Sequence, residues 1–234
     1  TNMAQNGRSS KSFRAEGHWD QALAANGDYY LIQFGHNDQP GKPGRSTDYA
    51  TEFPVNMTRY VAFFASMNVG GNRLTMADLR EALEREDIEQ VETVVASGNV
   101  LFDHEGEADE ILAARIADVV QSAFGFASLI VVRGRAELSS AIDDNPFHGD
   151  GQDKFVHSIF LDGQPSMESF DALLAEHRGK PSERLALGPR VLYLDYVHGA
   201  GVSSLTGPFL QRRLGCRGTA RNMTSLKRIR DKMT

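Results

Sequence analysis

Cysteine is almost missing from this sequence: Cys216 is the single thiol among 234 residues, which excludes a disulfide scaffold and a paired-cysteine zinc site. Long apolar runs are missing too, and without about twenty consecutive apolar residues no helix spans a membrane. The first stretch is polar with no apolar signal core, so a cytoplasmic protein is expected. Tryptophan is limited to Trp19. What remains is ordinary: 41% hydrophobic and 24% charged residues. That balance excludes disordered and fibrous chains and leaves room for one large domain or two small ones.

The net charge is −6 with a sequence pI near 5.6, which argues against a generally nucleic-acid-binding surface. The acid excess is uneven. From Arg212 onward, Arg212, Arg213, Arg217, Arg221, Lys227, Arg228, Arg230 and Lys232 stand against one acid, Asp231, so this tail carries +7 and the remainder −13. A solvated helix face accounts for such a tail, and an anion-binding or RNA-binding segment is the alternative.

Character changes near Met57. Before it the chain is rich in Gly, Asn, Ser and Asp, with one strand-like run, Asp28 to Phe34, and a long loop, Gly35 to Phe53. Such a segment buries little apolar surface by itself. After Met57 the pattern turns regular. Arg59 to Phe64 predicts a strand, and the loop Asn68-Val-Gly-Gly-Asn72 follows. Thr75 is placed to cap a helix through Leu83. Gln90 to Val95 and Asn99 to Asp103 predict a hairpin about Ala96-Ser97-Gly98, Ala108 to Phe124 a helix, and Ser128 to Arg133 a strand. This β-α-β-β-α-β order is that of a ferredoxin-like unit.

The order recurs after a linking helix, Ala136 to Asp143. Phe155 to Leu161 reads as a strand, Met167 to His177 as a helix, and Arg184 to Leu187 with Val191 to Val197 as a hairpin around Gly188-Pro189. A helix over Ser204 to Leu214, a short edge strand over Gly218 to Ala220 and a basic helix over Thr224 to Lys232 complete it. The expected class is α+β: two tandem ferredoxin-like units, 57–134 and 135–234, the second carrying the C-terminal helix, preceded by a loosely packed segment 1–56.

Residues 6–60 resemble the SGNH-type esterases, most closely the rhamnogalacturonan acetylesterase branch. The carrying words are Asn6-Gly-Arg-Ser-Ser-Lys-Ser-Phe13, Gly17-His-Trp-Asp20 and Gly27-Asp-Tyr-Tyr-Leu-Ile-Gln-Phe-Gly-His-Asn-Asp-Gln39. The resemblance implies an incomplete SGNH-hydrolase-like α/β fragment, in which Gly7 and Asn37 correspond to oxyanion-hole donors. That family's nucleophile lies in a Gly-Asp-Ser block, which this chain lacks. Its base lies in an Asp-x-x-His block; Asp195-Tyr-Val-His198 has the spelling but sits in an alternating strand. Without serine and histidine no catalytic residue is assigned, and a carbohydrate O-acetylesterase is what this block alone implies.

From Met57 onward the chain resembles the bacterial family called domain of unknown function 1697. Met57-Thr-Arg-Tyr-Val-Ala-Phe-Phe64, Asn68-Val-Gly-Gly-Asn72, Ser97-Gly-Asn-Val-Leu-Phe102, Asn145-Pro-Phe147, Lys154-Phe-Val-His157, Leu205-Thr-Gly207 and Gly218-Thr-Ala-Arg-Asn222 are its recurring words. This resemblance implies two ferredoxin-like units and no known activity. Ala65-Ser66-Met67 stands where the family has Arg-Gly-Ile, and Met223 where it has Trp, so one positive charge beside the loop is lost. The string Asn56-Met-Thr-Arg-Tyr-Val61 suits both families. A chimera is therefore expected, with Thr1 as the cut end of a fragment and Met57 as the start of the second protein.

The loop Asn68 to Asn72 follows a strand and precedes a helix N-terminus, where backbone N–H groups suit a phosphate or carboxylate. It lacks the Gly-Lys-Ser/Thr of a Walker loop. Candidate ligand contacts are Asn68, Gly70, Gly71 and Asn72 of this loop, Ser97 and Asn99 of the hairpin, and Arg221 and Asn222 of the basic tail. His148, Asp150, Asp153 and His157 show no zinc-like spacing, so neither metal nor cofactor is assigned. Cys216 reads as an inert thiol. The function expected is binding of a small anionic ligand or a partner without catalysis, with acetylester hydrolysis and nucleic-acid binding through the tail as alternatives.

Overall fold

The computed structural model describes residues 58–65, 75–86, 88–94, 98–104, 107–177 and 183–233, all within one compact unit, Met57–Thr234. The esterase-like segment lies outside them. Strand β1 (Thr58–Phe64) is apolar at both parities, so it suits a central position. Tyr60, Ala62 and Phe64 face one core while Val61 and Phe63 face another, and all five are buried.

Helix α1 (Met76–Glu84) follows, capped by the Thr75 hydroxyl accepting from the Asp78 N–H at 3.1 Å. Strands β2 (Glu89–Thr93) and β3 (Asn99–His104) form the hairpin, and helix α2 (Glu110–Phe124) leads to β4 (Ile130–Gly134). The sheet is antiparallel in the order β2-β3-β1-β4, with Phe63 opposite Asn99 on one side and Val131 on the other. Leu112, Ile116 and Val120, one turn apart on α2, join Leu79 and Leu83 of α1 over one face of this sheet. At its ends α2 is held by Asp109, whose carboxylate accepts from the Leu112 N–H at 2.8 Å, and by Gly125 in the left-handed region.

A linking helix, α3 (Arg135–Asp143), begins the second half. Strand β5 (Val156–Leu161), helix α4 (Met167–His177), the hairpin β6 (Arg184–Gly188) and β7 (Val191–Asp195), helix α5 (Gly207–Leu214) and strand β8 (Gly218–Asn222) repeat the order. Their sheet is antiparallel, β6-β7-β5-β8, and α6 (Met223–Lys232) follows. Leu173 of α4 and Leu210 and Leu214 of α5 cover its outer face with Ile159, Leu192 and Leu194. A third core joins the two halves: Val61, Phe63 and Leu101 meet Phe160, Val191 and Tyr193, together with Leu138 and Ile142 of α3 and Leu226 and Ile229 of α6.

Among the boundaries that differ from the sequence reading, two have a plain physical cause. Helix α5 starts at Gly207 rather than Ser204, because Thr206 occupies the N-cap with proline in the first turn, and a short 3-10 turn, Ala200–Val202, precedes it. Strand β8 runs on to Asn222, because Arg221 and Asn222 continue the ladder opposite Ser158 and His157. Among the described residues no helix is long and apolar enough to cross a membrane.

Candidate functional site

Of the residues singled out in the sequence, Gly7, Asn37, Asn68, Gly70, Gly71, Asn72 and Ser97 lie outside the described residues. The structure brings two of the others together. Arg221 Nε donates to Asn99 Oδ1, Nη1 to Thr219 Oγ1 at 2.8 Å and to the Ala220 carbonyl at 2.8 Å, and Nη2 to the carbonyls of Phe64 at 2.9 Å and Gly98 at 3.0 Å. A guanidinium has five N–H groups, so every donor of Arg221 is committed inside the protein. Asn99 is itself buried and donates to the Val94 carbonyl at 3.0 Å. Asn222 caps α6, its Oδ1 accepting from the Ser225 N–H at 2.9 Å. The polar groups of these three residues thus serve the fold.

Arg133 mirrors Arg221. From the fourth strand of the first half it donates through Nη2 to the carbonyls of Leu161 at 2.8 Å and Arg190 at 3.5 Å, at the end of β5 and just before β7. Arg221, on the fourth strand of the second half, reaches the matching places at the end of β1 and just before β3. Between them Phe63 and Phe160 stack at 4.3 Å between centroids. Each ring also meets the other half's guanidinium, Arg221 at 5.4 Å from Phe63 and Arg133 at 6.0 Å from Phe160. Burial pulls both arginines down to about 10, with Glu137 opposing and Arg190 adding to the effect at Arg133. Both remain charged at neutral pH.

The basic tail is largely paired rather than displayed. Arg213 meets Glu176 at 2.6 Å, Arg217 meets Asp162 at 2.8 Å, Lys227 meets Asp153 at 2.7 Å, Arg230 meets Asp143 at 2.9 Å and Lys232 meets Glu92 at 3.0 Å. Asp195 of the Asp-x-x-His spelling is buried in β7 and accepts from Arg184 at 2.6 Å. Among the described residues no three His, Cys, Asp or Glu side chains converge to hold a metal ion. The Cys216 thiol is pushed up by burial and by Asp162, which favours its protonated form.

A different place has the character of a site. A cavity of about 390 Å³ lies along α2 and β4, with Asp162, Arg190 and Arg217 of the second half in its wall. That volume is in the range of small-molecule sites. Arg133 brings a fixed positive charge to it. Arg217 Nε and its backbone N–H both donate to Asp162 at 2.8 Å. Arg190 Nη2 stands 3.6 Å from Glu110 Oε1, while Arg190 Nε is buried without a hydrogen-bond partner. A buried donor without a partner is uncommon in a folded protein and sets Arg190 apart in the lining.

The backbone of Arg190 is unusual as well. Its φ is 51°, in the left-handed region. The matching position in the first half, just before β3, is Gly98 with φ 72°. The turn demands a positive φ, which glycine adopts freely and an arginine only at a cost of about 1–2 kcal/mol. Strain of this kind concentrates where a side chain is used. The sequence centres this hairpin on Gly188-Pro189 and gives Arg190 no mark of its own; its place one residue before β7, as Gly98 stands one residue before β3, is what distinguishes it.

The fold defines a mixed α+β protein of two four-stranded antiparallel sheets. The model of the family described as "Protein of unknown function (DUF1697)" matches residues 57–193, and the chain belongs to that family. Its fold is similar to that of a conserved bacterial protein from Streptococcus pneumoniae, with a TM-score of 0.57 at 20% identity, covering 76% of this chain and 99% of that one. No curated protein matches the chain.

Proposed function

We propose that this protein works by binding rather than by catalysis, and that the cleft along α2 and β4 takes a small ligand through a carboxylate-like or phosphate-like group. The reading treats 57–134 and 135–234 as two ferredoxin-like units and places the site where the second half's hairpin turn meets the first half's edge strand. The carrying observation is Arg190: an arginine in a glycine conformation that lines the cleft and whose Nε is buried without a hydrogen-bond partner. Arg133 and Arg217 supply charge beside it. Arg221 and Asn99, saturated internally, are left to structure.

The test is a titration of the full chain with sodium acetate and inorganic phosphate, followed by the NMR signals of Arg190 Nε–H and the Ile130 and Val132 amides. Saturable shifts at millimolar concentration are expected. In Arg190→Gly the amide shifts vanish while the midpoint of thermal unfolding holds or rises, because glycine relieves the backbone. A fall in that midpoint with the amide shifts unchanged makes Arg190 a structural residue and ends the proposal.

A further inference from the structure

We infer that the occupant of this cleft is a short peptide with free termini, about three residues long. The inference rests on the acceptor-binding reading above and adds the rest of the ligand. Three arginines, Arg133, Arg190 and Arg217, and four acids, Asp109, Glu110, Asp118 and Asp162, line the cavity. A polyanion is disfavoured by that balance, whereas a ligand with charge of both signs matches it.

The two signs are spread along the cleft. Arg190 lies beside Glu110 in the first turn of α2. Asp118, exposed, is eight residues further on, which on an α-helix is about 12 Å. The connection from α2 to β4 is short, so Asp118 lies toward Ser128 and Leu129 just before β4, and all three line the cavity. An extended chain advances about 3.3–3.6 Å per residue, so three residues cover roughly 10–11 Å. A tripeptide therefore sets its carboxylate at Arg190 and its ammonium at Asp118.

Between these ends the protein presents peptide-like groups. The Ala65 N–H donates to the Leu129 carbonyl at 2.9 Å, and the ladder continues through Val131 and Arg133. By antiparallel alternation the N–H and C=O of Ile130 and Val132 point to the outer edge of β4, the last strand of its sheet. Arg133 Nη1 takes the Val132 carbonyl at 2.8 Å. Both groups of Ile130 and the N–H of Val132 are left for the amides of an extended ligand, as when a peptide joins a sheet edge. Ala113 and Ala117 line the α2 wall and leave width for its backbone.

Calorimetric titration of the full chain with trialanine, N-acetyl-trialanine and trialanine amide tests this. Trialanine is expected to bind at least tenfold more tightly than either blocked form. Asp118→Asn should lower trialanine affinity to that of the acetylated peptide while leaving the acetylated peptide unchanged; Asp118 is exposed, so the fold tolerates the change. Equal affinity for trialanine and its acetylated form overturns the peptide assignment and leaves acceptor binding intact. Absence of both trialanine binding and the acetate-induced shifts overturns both.

Discussion

Arg221 is the residue on which most of the seam between the halves depends. Its five donors reach Phe64, Gly98 and Asn99 in the first half and Thr219 and Ala220 in the second. Replacing it with Met leaves buried acceptors without partners, each costing about 1–3 kcal/mol. Arg221→Met should therefore lower stability by roughly 3 kcal/mol or more in urea unfolding, and Arg221→Lys should recover little, because an ammonium lacks the planar fork. His157 makes a second case. Its Nδ1–H donates to the Phe155 carbonyl at 2.9 Å and its ring meets Tyr196 edge-on at 4.9 Å. Burial depresses the imidazole below its usual 6.5, against weaker opposition from Phe155 and Asp195. The unfolded chain then binds the proton more readily than the folded one, so stability is full above about pH 6.5 and declines as pH falls from there through the native value. His157→Gln should flatten that decline in unfolding curves collected between neutral and mildly acidic pH.

At the scale of elements, periodicity and turn chemistry carried most of the architecture. β1 and β5 were legible because each is a short apolar run, and α2 because Leu112, Ile116 and Val120 recur one turn apart. Helix α5 begins later than Ser204 because Thr206 and Pro208 set its first turn. The site was far less legible. Arg221 stands out by its charge, yet its partners in the first half lie more than a hundred residues away in the chain, and no local pattern encodes them. Arg190 carries no sequence signal at all beyond following a proline. Its distinction is a backbone angle, visible only when one hairpin is compared with the other. The tail's apparent basicity had the opposite fault: its partners, Glu176, Asp162, Asp153, Asp143 and Glu92, are scattered through the preceding acidic part, so a charge count along the sequence exaggerates what the surface presents.

For the described molecule as a whole, the two sheets share one core and so should melt together. Val61, Phe63 and Leu101 are in the same buried cluster as Phe160, Val191 and Tyr193, so separating the halves would expose one apolar face of each sheet. A single unfolding transition is expected for Met57–Thr234, with the same midpoint by circular dichroism and by tyrosine fluorescence. The Phe63 and Phe160 rings should show a coupling of about 0.5–1.5 kcal/mol in a double-mutant cycle. Separate transitions for the halves, or additive effects of Phe63→Leu and Phe160→Leu, would contradict this account.

The choice of acceptors at the seam bears on how the sequence is free to evolve. Arg133 and Arg221 reach across to main-chain carbonyls, those of Leu161 and Arg190 in one direction and Phe64 and Gly98 in the other. A main-chain acceptor is indifferent to the side chain it belongs to, so these contacts persist whatever mutation places at the turn. Glycine occupies one of the two turns and arginine the other. A side chain at position 190 can therefore carry chemistry without loosening the bond between the halves, for the backbone cost of a positive φ alone, and position 98 would offer the same latitude at the same cost.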